Sequence, residues 1–251
     1  MLERFRSFVW ALPILAVVVL VGVWIGQPVS NQELLANFAK AGDFFRGWQS
    51  VGFWPWWTPM FLQGTSLAPS WSVMVSNLLL LAGTAGFGFL AGPKIAAGFC
   101  LIFGAVGMVF FLRRWTGNQL AAWLGGVLFV FQPSLLTRAA EFEHFVVVAS
   151  MAALPWVLWA IAGFFRNGSR RHAVVLGVCF SALTLAYGKT ALMAAPLLGA
   201  FALAQYFSEP RGTRPCWRRI ALVAGAVFVL AAVPNFPALR ESGFVAMFEF
   251  G

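Results

Sequence analysis

Charge is what this chain has least of. Charged residues make up 10% of its 251 residues, and only eight of them are acids. A soluble globular domain carries roughly 25% charged residues, so an ordinary water-soluble fold is excluded. Alternating ten-residue strands are absent, which excludes an outer-membrane type barrel. Cysteine is scarce. Cys100, Cys179 and Cys216 form an odd set without CxxC spacing, so neither a disulfide framework nor a zinc site follows. There is no Walker motif, HExxH, GxSxG, TVGYG filter or arginine-repeat voltage-sensor helix, and no acid stands in mid-span to suggest a proton relay. Internal repeats and low-complexity segments are missing too.

What remains is sequence compatible with hydrocarbon. Apolar residues make up 61% of the chain, and the mean hydropathy is +0.82. Apolar runs near the length of about 20 residues that a helix needs to cross a bilayer recur along it. The expectation is an all-α polytopic membrane protein, a single transmembrane domain over 1–251. Its spans fall near 8–26, 95–112, 119–135, 147–165, 173–187, 190–207 and 220–234. The first is read as an uncleaved helix, because its run exceeds a signal peptide's usual apolar stretch of roughly 7–15 residues and no A-x-A site follows. The tail, PNFPALRESGFVAMFEFG, reads as the middle of an outer loop, as expected of a piece of a longer chain.

A long polar interruption, 27–70, follows the first run, and the segment 71–91 after it sets the topology. If 71–91 spans, only Arg4, Arg6, Lys94, Arg138, Lys189 and Arg240 lie in the cytoplasm. If it is an interfacial or re-entrant helix, the cytoplasm holds Arg4, Arg6, Arg113, Arg114, Arg166, Arg170, Arg171, Arg211, Arg214, Arg218 and Arg219. The second arrangement obeys the positive-inside rule. It also fits the content of 71–91, which includes Gly83, Gly86 and Gly88, since glycine costs a helix interior about 1 kcal/mol per site. An outer loop over 27–94 and a cytoplasmic N-terminus result. Of the acids, only Glu3 and Glu209 then fall inside. The net charge of +9 belongs to the connectors, with anionic lipid headgroups rather than nucleic acid as its expected partner.

Four groups could carry chemistry. Glu33 and Asp43 lie in ELLANFAKAGDFFRGW, whose apolar residues have helical spacing, as in an amphipathic helix on the membrane surface. Glu33 suits the start of that helix, or it is a base or metal ligand facing a cavity. Asp43 lies roughly 80° around the helix from it. Glu141, Glu143 and His144, with Arg138 before them, form an outer turn. Carboxylates there suit Mg²⁺ or Mn²⁺ and Arg138 suits a phosphate, or the group is an internal salt bridge. Trp54, Trp56 and Trp57 lie in a proline-bounded, non-helical stretch. They are an interfacial belt or a surface for sugar or lipid. Tyr187-Gly188-Lys189-Thr190 lacks the upstream glycine of a P-loop, and Lys189 is a second candidate phosphate contact. His172, in an Arg-Arg-His run, is read as topological.

The order of these features resembles the N-terminal half of the GT-C superfamily of membrane glycosyltransferases. A basic start and one span precede a long outer loop with an early acid and Trp54-Pro55-Trp56-Trp57-Thr58-Pro59 to Gly64. A broken apolar helix, an Arg-rich turn and R-x-x-E-x-E-H follow. The YfhO-like and protein-mannosyltransferase-like bacterial members are the most similar. The resemblance covers roughly 1–207. It implies transfer of a sugar from a polyprenyl-phosphate donor at the outer face of the bacterial inner membrane. Glu33 would be the catalytic base or metal-binding residue with Asp43 as runner-up, Glu141 or Glu143 the carboxylate of the second outer loop, and Arg138 and Lys189 the candidate phosphate contacts. The chain departs from the pattern in having Glu at 33, where the family usually has Asp. The competing expectations are a non-catalytic membrane protein, either a degenerate transferase or a lipid-linked-sugar carrier component, and a small-molecule transporter. Transporters tend to show inverted repeats, and only one broken segment is found here.

Overall fold

The computed structural model describes residues 74–141, 145–167 and 170–209, the pairs 57–58 and 65–66, the stretch 220–223 and scattered helical residues around 15–23 and 225–229. In chain order the elements begin with two short strands, β1 (Trp57–Thr58) and β2 (Thr65–Ser66). Six helices follow among the described residues: α1 (Met74–Thr116), α2 (Gln119–Val130), α3 (Pro133–Glu141), α4 (Phe145–Asn167), α5 (Arg170–Ala186) and α6 (Gly188–Ser208). The strands pair antiparallel, Trp57 opposite Ser66 and Thr58 opposite Thr65. The rest is helical.

Three stretches are long and apolar enough to cross a membrane: Ala91–Thr116, Phe145–Arg166 and Thr190–Ser208. Shorter apolar helices cover Leu78–Gly88, Gln119–Val130 and Arg171–Ala186. The run read as 119–135 is divided. Helix α2 stops at Val130, and α3 begins at Pro133 as a separate amphipathic helix. Proline disfavours helical backbone at the residue before it, and Gln132 is that residue.

Helix α1 is two limbs rather than one rod. Gly88 has φ 79° and ψ 174°, a conformation open only to glycine at acceptable cost. The chain reverses there, and the limbs pack closely enough that Gly83 and Gly92 touch through their backbones. The first limb rises only about 20 Å from Met74 to Gly88 at 1.5 Å per residue. Its lower end is fixed by the Ser76 hydroxyl, which donates to the Ala186 carbonyl at 2.7 Å. Gly117, with φ 68°, makes the turn from α1 to α2. The Asn118 side chain then caps α2 by accepting from the Leu120 and Ala121 amides.

Helix α4 is the hub. Phe145, Val148, Ala149 and Ala152 pack with Leu101, Ala105, Val130 and Leu135 of α1, α2 and α3. Val157, Ala160, Ile161 and Phe164 pack with Leu176, Leu183, Ala191 and Ala194 of α5 and α6. Each set recurs every three or four residues, so the helix is apolar on two faces, as a central helix must be. The outer faces are apolar too. Phe99, Phe103 and Phe110 line the exposed side of α1. Leu192, Met193, Leu197 and Leu203 line that of α6, where Met193 is 82% exposed. Apolar patches this broad belong against lipid or a partner rather than water.

Candidate functional site

The helix directions define two ends. At one lie the C-termini of α1, α4 and α6 and the N-terminus of α5. At the other, the single cluster that holds Leu135, Phe145 and Ala186 brings together α3, the start of α4 and the end of α5.

The second end carries the described part of the sequence-predicted site. Arg138 is exposed on α3, near the end of its last turn, and Glu141 is that helix's final residue. Lys189 lies in the first turn of α6, directly after Ala186 and Tyr187. The fold therefore puts the α3 turn and the α5–α6 turn at one end of the bundle. Trp57 contributes to β1, in keeping with a non-helical tryptophan segment. Glu33, Asp43, Trp54, Trp56, Glu143 and His144 lie outside the described residues. Among the described residues no three His, Cys, Asp or Glu side chains gather to hold a metal ion, so those residues alone do not build the Mg²⁺ or Mn²⁺ site expected at the Glu141 turn.

Sequence reasoning missed a cluster at the other end. Arg114 lies in the last turn of α1 and His172 in the first turn of α5, 58 residues apart. The Arg114 Nη1 and Nη2 groups lie 3.4 and 3.3 Å from His172 Nε2. Guanidinium can only donate, so Nε2 accepts and the imidazole proton sits on Nδ1. The guanidinium carbon also lies 5.6 Å from the ring centre of Trp159, in cation–π range. The Arg166 guanidinium donates to the Arg114 carbonyl at 3.4 Å. Gly163 leaves the room for this. A Cβ there would stand 2.5 Å from His172 Cδ2 and 2.9 Å from Arg114 Nη1. The available signal was the pairing of two basic turns, Arg113-Arg114 and Arg170-Arg171-His172, on connectors expected on the same side.

His172 is held below the usual histidine range, first by burial and then by the positive charges of Arg114 and Arg171. The unfolded chain therefore binds the proton first as pH falls. This contribution to stability is fully present above about pH 6.5 and is lost as pH drops through the lowered folded value. Thermal unfolding in detergent from pH 8 to pH 5 should show this loss in the wild type and a smaller one in His172→Gln. Identical pH profiles would remove His172 from the account.

Beside this cluster lies a cavity of about 390 Å³ lined by Arg114, Arg166, Gln205, Ser208 and Glu209, with Trp115 and Ala162 as its apolar walls.

A match to the 6-pyruvoyl-tetrahydropterin synthase related domain, described as a membrane protein, covers residues 80–249. The chain belongs to this family. The match takes in all six described helices except the first turn or so of α1, and both ends of the bundle. The family replaces the GT-C superfamily expected from the layout of spans, tryptophans and basic turns. No curated protein and no solved structure matches the chain. The family's description agrees with the three apolar helices: this is a membrane protein.

Proposed function

We propose that the protein handles a polyprenyl-phosphate-linked sugar at the outer face of the bacterial inner membrane, and that it transfers the sugar to an acceptor. With the GT-C family set aside, the reading rests on residues. The observation that carries it is the convergence of the Arg138 helix and the Lys189 turn at one end of an apolar bundle. Two cations at one end of a membrane domain suit the phosphate of a lipid-linked donor. An arginine offers it a planar, bidentate pair of donors, and charge developing on the leaving phosphate would be met there. Glu33 is the proposed base that deprotonates the acceptor, with Asp43 as its alternate, and Trp54, Trp56 and Trp57 are the proposed sugar-facing surface. The five described arginines at the opposite end favour that end as cytoplasmic. The N-terminus then lies in the cytoplasm, and the three long helices, the shorter α2 and α5, and the apolar runs 8–26 and 220–234 together make the proposed seven-span domain.

The test is sugar transfer from a polyprenyl-phosphate donor in membranes containing equal amounts of each variant. Arg138→Gln should lower transfer by roughly tenfold or more, the scale of one lost charge-assisted hydrogen bond. Glu33→Gln should lower it further. Unaltered transfer in both variants sinks the reading.

A further inference from the structure

We propose that the cavity between the ends of α1, α4 and α6 is a binding site for a phosphate group. It stands apart from the proposed sugar-transfer end, at the opposite end of the bundle, and does not depend on it. Basic turns in membrane proteins commonly do no more than set topology. Three observations set this one apart. The arginines line a half-open volume of about 390 Å³, within the usual range for small-molecule sites. Arg114, one of the lining residues, is held in a fixed position by His172 and Trp159, so its positive charge is set beside the cavity in advance. Its Nε is buried and has no hydrogen-bond partner among the described residues, so the fold only partly satisfies this cation.

The rest of the lining matches an anion with polar ester oxygens. Arg166 is exposed at its outer side and supplies a second, reachable guanidinium. Gln205 adds an amide donor. The Ser208 hydroxyl gives its proton to the Gln205 carbonyl at 3.0 Å, so its oxygen can meet only a donor such as a headgroup hydroxyl, not a phosphate oxygen. Glu209 is the one acid on the lining, and it makes contacts of its own within the fold. The balance is two guanidiniums to one carboxylate. Trp115 fixes the depth. Its ring is 57% exposed, stacks on Phe111 and meets Phe201 edge-on, the arrangement of a tryptophan at headgroup level. A phosphate in the cavity would thus sit where lipid phosphates sit. The chemistry is the same for an anionic lipid headgroup and for a free phosphate, and the experiment separates them.

The purified full chain in neutral detergent is given inorganic phosphate, phosphatidylglycerol or phosphatidylcholine at constant ionic strength. Thermal unfolding and native mass spectrometry read binding. Phosphatidylglycerol should raise the unfolding temperature and remain bound, and phosphatidylcholine should be retained at least about threefold less, which is roughly 0.7 kcal/mol. Arg166→Gln should abolish that preference, and Glu209→Gln should strengthen it. The opposite signs keep the test sound if one variant folds poorly. Stabilisation by inorganic phosphate as well assigns the site to a soluble phosphate, and stabilisation by phosphatidylglycerol alone assigns it to a headgroup. Equal retention of both lipids with no phosphate effect, or a preference that neither variant changes, overturns the proposal.

Discussion

Gly92→Ala should be the most damaging single methyl group that can be added to the described helices. The new Cβ would lie 2.5 Å from the Gly83 carbonyl carbon and 2.6 Å from Thr84 Cα, and against the Gly83 oxygen. These are backbone atoms of the opposite limb of α1, so no side-chain rotation relieves the overlap. Overpacking of a well-filled interior costs about 1–3 kcal/mol where side chains can give, and backbone contacts place this case at or above the top of that range. The limbs must separate, and the bond from Ser76 to Ala186 goes with them. Gly86→Ala is the control. Its Cβ would meet nothing within 4 Å, and alanine is the better helix former by about 1 kcal/mol. Stability in detergent should therefore fall sharply for the first variant and hold or rise for the second. Equal stability of the two would mean that the limbs do not pack against each other.

Trp156→Ala should come next. This residue joins the hub to α1. Its Nε1 donates to the Phe103 carbonyl at 3.0 Å, and its ring lies 5.0 Å from that of Phe103 and 5.7 Å from that of Phe110. Removing a large aromatic side chain costs about 3–5 kcal/mol in a closed core. Trp156 is half-buried, so about 3 kcal/mol is the expectation here. Trp156→Phe separates the two contributions, since it keeps most of the ring packing and loses only a hydrogen bond of about 1 kcal/mol. A phenylalanine variant as unstable as the alanine one would assign the joint to the hydrogen bond instead.

The helical membrane class was legible from the scarce charge and the recurring membrane-length apolar runs, because backbone groups in hydrocarbon must be satisfied within a helix or a closed barrel. The break near Gly88 was legible from its neighbouring glycines, whereas the direction of the reversal was not. That depends on the close approach of Gly83 and Gly92, which no local pattern encodes. The division of 119–135 was written in Gln132-Pro133 but masked by the continuous apolar run on either side. Arg138 and Lys189 stood out because few of the chain's cations fall in the connectors expected on the outer side, and their shared end follows from the alternation of helix directions. The Arg114–His172 pair was not read because its partners lie on different connectors and each looked like an ordinary topology signal. The family was misread for a related reason. Basic turns and interfacial tryptophans are imposed by the bilayer on many multi-pass proteins, so their order alone distinguishes families poorly.

The bond between Ser76 and Ala186 spans 110 residues of sequence, and this has a consequence for biogenesis. At about 5–20 residues per second of synthesis, the first limb of α1 leaves the ribosome about 5–20 seconds before its acceptor carbonyl exists. Through that interval the Ser76 hydroxyl awaits its partner, and the limb is held by its own hairpin and then by the apolar cluster it shares with α4. The Gly83–Gly92 contact, complete as soon as α1 is made, is the first to keep the limb in place before α4 and α5 arrive.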